Sequence, residues 1–115
     1  KSMKTIVLEV SFALWSGVAM AHSPLKLTSP INGAVVATTP DMIDMAFGQG
    51  VRLSKVTMTH LDHPSVQLDL SKATGLAKDI SVPVQKMGAG TYLFEWIGMG
   101  EDGHKVTGDF SFLVE

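Results

Sequence analysis

From about residue 25 onward the chain alternates apolar and polar positions with a period of two. Ile43, Met45 and Phe47 alternate with Met42, Asp44 and Ala46, and Val56 and Met58 with Lys55, Thr57 and Thr59. Tyr92, Phe94 and Trp96 share one face while Leu93, Glu95 and Ile97 take the other; Phe110, Phe112 and Val114 repeat the pattern against Asp109, Ser111 and Leu113. Successive side chains of a strand point to opposite faces, so this pattern predicts a sheet with one buried face. Turn signals punctuate the runs: Pro30-Ile31-Asn32-Gly33, Thr39-Pro40-Asp41, Gly48-Gln49-Gly50, Asp62-His63-Pro64, Met87-Gly88-Ala89-Gly90 and the stretch Gly98 to Gly103. The reading is about seven short strands, near 25–29, 34–37, 42–47, 54–60, 65–70, 79–84 and 90–97, with a last one at 107–114. A helical turn is the reading for 71–78. Short strands at regular spacing, with no long helical period, predict an all-β domain, either a two-sheet sandwich or a small barrel.

Residues 1–21 depart from this pattern and read as a signal peptide. Lys1 and Lys4 give a positive start, Ile6 to Val18 is mostly apolar, and Ala19-Met20-Ala21 offers small residues for cleavage. The apolar run is shorter than the ~20 residues of a spanning helix. Glu9 inside it is atypical, and a membrane anchor or a buried amphipathic helix are the competing readings. Cleavage after Ala21 would leave a single domain, 22–115, that begins at His22 and has no stable membrane insertion.

The chain has 115 residues, of which 9 are Lys or Arg and 11 Asp or Glu, and none is cysteine. The length fits one domain, and the acidic balance argues against nucleic acid as a partner. Without cysteine there is no disulfide, iron–sulfur cluster or thiolate zinc site, so an exported form must rely on its core. No nucleophile elbow and no phosphate-binding glycine loop occurs.

The four histidines carry the remaining chemistry, since neutral imidazole is the commonest metal ligand. If cleavage exposes it, His22 offers two nitrogens, its α-amine and ring Nδ1, and a nitrogen-rich tetragonal site suits Cu(II). His104 lies in Glu101-Asp102-Gly103-His104. On an extended backbone Asp102 and His104, two apart, would share a face; a plain solvated Asp-Gly turn explains the same residues. His60 and His63, spaced His-x-x-His, read as exposed loop residues or as a weak secondary metal site. Met42, Met45, Met58, Met87 and Met99 are scattered and read as packing residues rather than a Cu(I) cluster.

Two stretches together resemble a known family. His22-Ser23-Pro24-Leu25-Lys26-Leu27, followed by Ser29-Pro30-Ile31-Asn32-Gly33-Ala34, is similar to the start of mature CopC-type periplasmic copper-resistance proteins. Ala89-Gly90-Thr91-Tyr92-x-Phe94-x-Trp96, then Asp102-Gly103-His104-x-Val106-Thr107-Gly108-x-Phe110-x-Phe112-x-Val114, resembles that family's C-terminal signature. The resemblance implies an immunoglobulin-like Greek-key β-sandwich or barrel in the periplasm that binds Cu(II) as a carrier or buffer; a monomer is the expected state. It assigns the metal to the amine and ring of His22 with Asp102 and His104, and implies an inner-membrane copper-transport protein as partner. Two positions depart from the family pattern: Ile97 stands where an Arg often follows the tryptophan, and Lys105 where a Pro often follows the motif His. Thr57 to Val66, where some members carry a methionine-rich loop, holds only Met58. Two other functions fit parts of the pattern: a copper enzyme using a first-residue histidine brace, and a metal-free immunoglobulin-like interaction module.

Overall fold

A computed structural model describes residues 24–115, and the expected leader and His22 lie outside them. The described chain is all-β. Its seven strands are β1 (Leu25–Ser29), β2 (Val35–Val36), β3 (Met42–His60), β4 (Val66–Gln67), β5 (Ala77–Pro83), β6 (Gly90–Gly100) and β7 (Lys105–Val114).

The 19-residue β3 organises the rest. Its first part, Met42 to Phe47, runs antiparallel between β1 and β5, with Thr28 opposite Met45 and Val82 opposite Ile43. Its second part, Val51 to His60, runs antiparallel between β6 and β4, with Trp96 opposite Val56 and Val66 opposite Met58. Beyond β6 lie β7, antiparallel to it, and β2, parallel to β7. The hydrogen-bonded sheet is continuous through β3 and curls there, so one strand serves both layers of a sandwich.

Two expected strands, 42–47 and 54–60, are therefore one. Gly48-Gln49-Gly50 is not a reversal but an irregularity, across which the register with β5 shifts between Ala46 and Val51. The residues after it pair with the distant β6 instead of folding back on the residues before it. Long-range partners override local turn chemistry, and two glycines let the strand bend at low steric cost. The stretch read as a helical turn, 71–78, holds a turn at 71–72, is irregular to 76 and then enters β5. Its backbone serves as the lead into a strand, a tertiary demand that overrides a weak local preference.

The alternation locates the core. Ile43, Met45, Phe47, Val56, Met58, Tyr92, Phe94, Trp96, Phe110, Phe112 and Val114 are all buried. Phe94 stacks on Phe110 and Phe112 at centroid distances of 5.1 and 5.4 Å, and Tyr92 on Phe112 at 5.5 Å. Trp96 meets Phe47 edge-on at 5.3 Å, joining the two parts of the sandwich. At the start of β6 the Tyr92 hydroxyl donates to the Gly88 carbonyl and accepts from the Met87 N–H, both at 2.8 Å. A buried ring that reaches back to backbone a few residues upstream is the tyrosine corner of immunoglobulin-like sandwiches.

Gly108 stands opposite Trp96 in the β6–β7 ladder. A Cβ there would lie 2.8 Å from the indole Cζ2, inside van der Waals contact. Gly108→Ala should therefore displace the ring and lower stability by about 1–3 kcal/mol, the usual penalty of overpacking. Urea unfolding measures that loss and near-UV circular dichroism the tilted indole; unchanged values in both would show that the ring has room to yield.

Candidate metal-binding turn

β6 and β7 run beyond the expected ends, leaving only Glu101-Asp102-Gly103-His104 between them. The Gly103 N–H donates to the Gly100 carbonyl at 2.9 Å and the Gly100 N–H to the His104 carbonyl at 2.8 Å. Gly103 has φ +84°, the left-handed conformation that glycine adopts without steric cost. This is the tight hairpin loop that ends in a left-handed glycine.

The turn, not strand alternation, brings Asp102 and His104 together. The backbone here is not extended, so the expected reason for their convergence is replaced. Asp102 Oδ1 accepts the His104 N–H at 3.0 Å, and Asp102 Oδ2 lies 3.2 Å from His104 Nδ1. The His104 N–H, and after it the His104 ring, holds the Asp102 carboxyl below the usual carboxylate range, so Asp102 is an anion at neutral pH. Both side chains are open to solvent, Asp102 at 54% and His104 at 83% exposure. A nitrogen and an anionic oxygen 3.2 Å apart match neighbouring corners of a coordination shell with bonds of roughly 2 Å. Two donors do not make a site, and among the described residues no group of three or more His, Cys, Asp or Glu surrounds one point. His22, the third expected ligand, is outside the described residues.

The turn is fastened to the bend of β3. The Glu101 N–H donates to the Gly50 carbonyl and the Gly50 N–H to Glu101 Oε2, each at 2.9 Å. The same bend holds the entry of β1, because the Gly48 N–H donates to the Pro24 carbonyl at 2.8 Å. Glu101 and Gln49 carried no role in the sequence reading. The pairing of a glycine-flanked strand bend with an Asp-Gly turn becomes visible only once β3 and β6 are in register.

His60 and His63 do not form a loop pair. His60 is buried at the end of β3, where its Nε2–H donates to the Ala89 carbonyl at 2.7 Å. Its ring lies against Tyr92, with centroids 4.6 Å apart, and stacks on His63 at 5.4 Å with planes 13° apart. His63 uses Nδ1–H to bond the His60 carbonyl at 2.9 Å. Imidazole lone pairs lie in the ring plane, so two stacked rings do not converge on one ion. The buried His60 Nδ1 has no partner among the described residues. Met45 and Met58 are core residues, as read, and Met42, Met87 and Met99 are exposed at separate places.

Comparison with known proteins adds to this geometry. A family model described as the CopC domain matches residues 25–115. Copper resistance protein C of Xanthomonas campestris pv. juglandis is 29% identical over 124 residues, spanning 100% of this chain and 97% of that protein. Copper resistance protein C of Escherichia coli is 28% identical over 120 residues, spanning 96% and 90%. Among solved structures, PcoC, a methionine-rich copper resistance protein from Escherichia coli, superposes with a TM-score of 0.57 at 27% identity, covering 83% of this chain and 100% of that one. CopC from Methylosinus trichosporium OB3b gives 0.62 at 23% identity, covering 82% and 94%, a likeness of fold.

The stacked histidines generate a stability prediction. His60→Ala removes a buried ring and its hydrogen bond and should cost about 2–4 kcal/mol, read by urea unfolding. A loss below about 0.5 kcal/mol, the range of ordinary surface substitutions, would show that the ring is not a packing element.

Proposed function

The chain belongs to the CopC family, and from that premise we propose that it is a periplasmic Cu(II) carrier or buffer acting in copper resistance, with the metal held by His22, Asp102 and His104. The processed chain would supply the terminal amine and ring nitrogen of His22, the His104 imidazole and the Asp102 carboxylate. Three nitrogens and one oxygen are a borderline donor set that suits tetragonal Cu(II), and no thiolate or thioether group is gathered among the described residues to favour Cu(I). Copper is cargo here, taken up and released unchanged.

One observation carries the reading: the chain enters β1 beside the metal turn. The Pro24 carbonyl is bonded to Gly48, and two residues further along β3 Gly50 is bonded to Glu101. A residue two positions before Pro24 stands no more than about 7 Å from it by backbone geometry alone. The reading requires an amine freed at His22 to reach from this shared bend to Asp102 and His104, although the two ligand groups lie near opposite ends of the processed sequence.

Exposure supports the carrier role. Ligands on a solvent-open hairpin can pass an ion to a second protein by ligand exchange, and the proposed recipient is an inner-membrane copper-transport protein. The enzymatic reading of a first-residue histidine fits less well. A polysaccharide-cleaving enzyme needs exposed aromatic rings for its substrate, and every Phe, Tyr and Trp among the described residues is buried.

Cu(II) titration, followed by the visible and paramagnetic resonance spectra, tests the reading on the protein beginning at His22 and on the same protein with one residue added before it. The extension should weaken binding by about tenfold or more, equivalent to about 1.4 kcal/mol. His104→Ala should weaken it comparably and His63→Ala should not. Equal affinity of the two forms, or the reverse order of the two variants, would sink this ligand set.

A further inference from the structure

We propose that Glu101 is a positioning residue for the metal turn, its carboxylate fastening Asp102-Gly103-His104 to the bend of β3 and so to the point where the chain enters β1. The proposal rests on the ligand set of the preceding section and deepens it.

Within Glu101 to His104, the remaining hydrogen bonds are local to the β6–β7 hairpin: Gly103 to Gly100, Gly100 to His104, and His104 to Asp102. Among the described residues, the bonds that tie this turn to another strand are the two between Glu101 and Gly50. One is backbone to backbone and the other ends on the Glu101 side chain. The Gly50 N–H takes the Glu101 carboxylate as its acceptor at a point where the β3–β5 ladder skips from Ala46 to Val51 and offers it no partner. A carboxylate supplies a charge-assisted bond, stronger than a neutral one.

The fit around this clasp is close. A Cβ on Gly100 would stand 2.9 Å from both Asp102 Oδ1 and Gln49 Nε2. With no side chain at Gly100, the aspartate and the β3 bend can close over the same spot. The Glu101 carboxylate is engaged with Gly50, whereas the Asp102 carboxylate is engaged with His104. The role of Glu101 is to hold the donors, not to be one.

The test uses the protein as recovered from the periplasm, with Cu(II) as the probe. Glu101→Ala should lower Cu(II) affinity about tenfold, the lower end of what removing an outer-sphere partner of a metal ligand costs. Its paramagnetic resonance spectrum should broaden into more than one species. Glu101→Gln keeps an oxygen that can accept the Gly50 N–H and should stay within about threefold of the parent, with the parent spectrum. In the metal-free protein, Gly50 amide exchange should accelerate in Glu101→Ala and not in Glu101→Gln, which reports the clasp independently of copper. An equal loss of affinity in both variants would make Glu101 a ligand or a charge and overturn the proposal, as would no loss in either. His104→Ala in the same titration separates the two levels. If it binds copper normally, the ligand set fails; if it alone loses binding, the role of Glu101 fails.

Discussion

A single strand that serves both layers of a sandwich has to turn a corner, and here the corner is the bend at Gly48-Gln49-Gly50. Upstream of it β3 is paired with β1 and β5; downstream β5 keeps only Val51, and β6 and β4 take over. Across the bend the β3–β5 ladder skips from Ala46 to Val51, which leaves the backbone groups between them outside that ladder. Two of them are answered from elsewhere: Gly48 by the Pro24 carbonyl and Gly50 by Glu101. The corner thereby gathers the start of β1 and the β6–β7 hairpin to one end of the sandwich. Trp96 of β6 meets Phe47 edge-on, so β6 packs on the part of β3 that lies before the bend.

Much of this was legible in the sequence, and the reason is the strength of the period-two signal. The face Tyr92, Phe94, Trp96 and the face Phe110, Phe112, Val114 are buried as their alternation requires, because a slip of one residue would expose a whole row of large side chains at once. Gly48-Gln49-Gly50 was misleading for a physical reason. Glycines mark both reversals and bends, and only the partner of the following residues decides between them. The turn at 101–104 was recognisable from Asp-Gly, yet its mechanism was not. Strand alternation predicts a shared face, whereas the carboxylate and the ring converge because Asp102 caps the His104 N–H.

The histidines show where composition stops informing. His60 and His63 have the spacing of a chelate, yet the fold turns one into the core and stacks the other on it. Burial of a polar ring at the end of β3 could not be read from His-x-x-His, because the ring is held by the Ala89 carbonyl, 29 residues away. A neighbouring Tyr92 fills more of its surroundings. The same residue type at 104 is exposed on a hairpin tip. Identical chemistry is thus divided between packing and candidate binding by topology alone.

The separation between the rigid and open parts has a mechanical consequence. The β6–β7 ladder runs from the aromatic core out to Met99 and Lys105, and the tight turn carries that order through Glu101 to His104 into solvent. A carrier needs donors that are pre-arranged enough to capture an ion, since ordering them at the moment of binding costs conformational entropy. It also needs those donors exposed enough for a second set of ligands to displace them. In the proposed carrier Asp102 and His104 would meet both demands by different means: the hairpin and its tie to Gly50 order the backbone, while the side chains remain in water. A buried pair would satisfy the first demand and defeat the second.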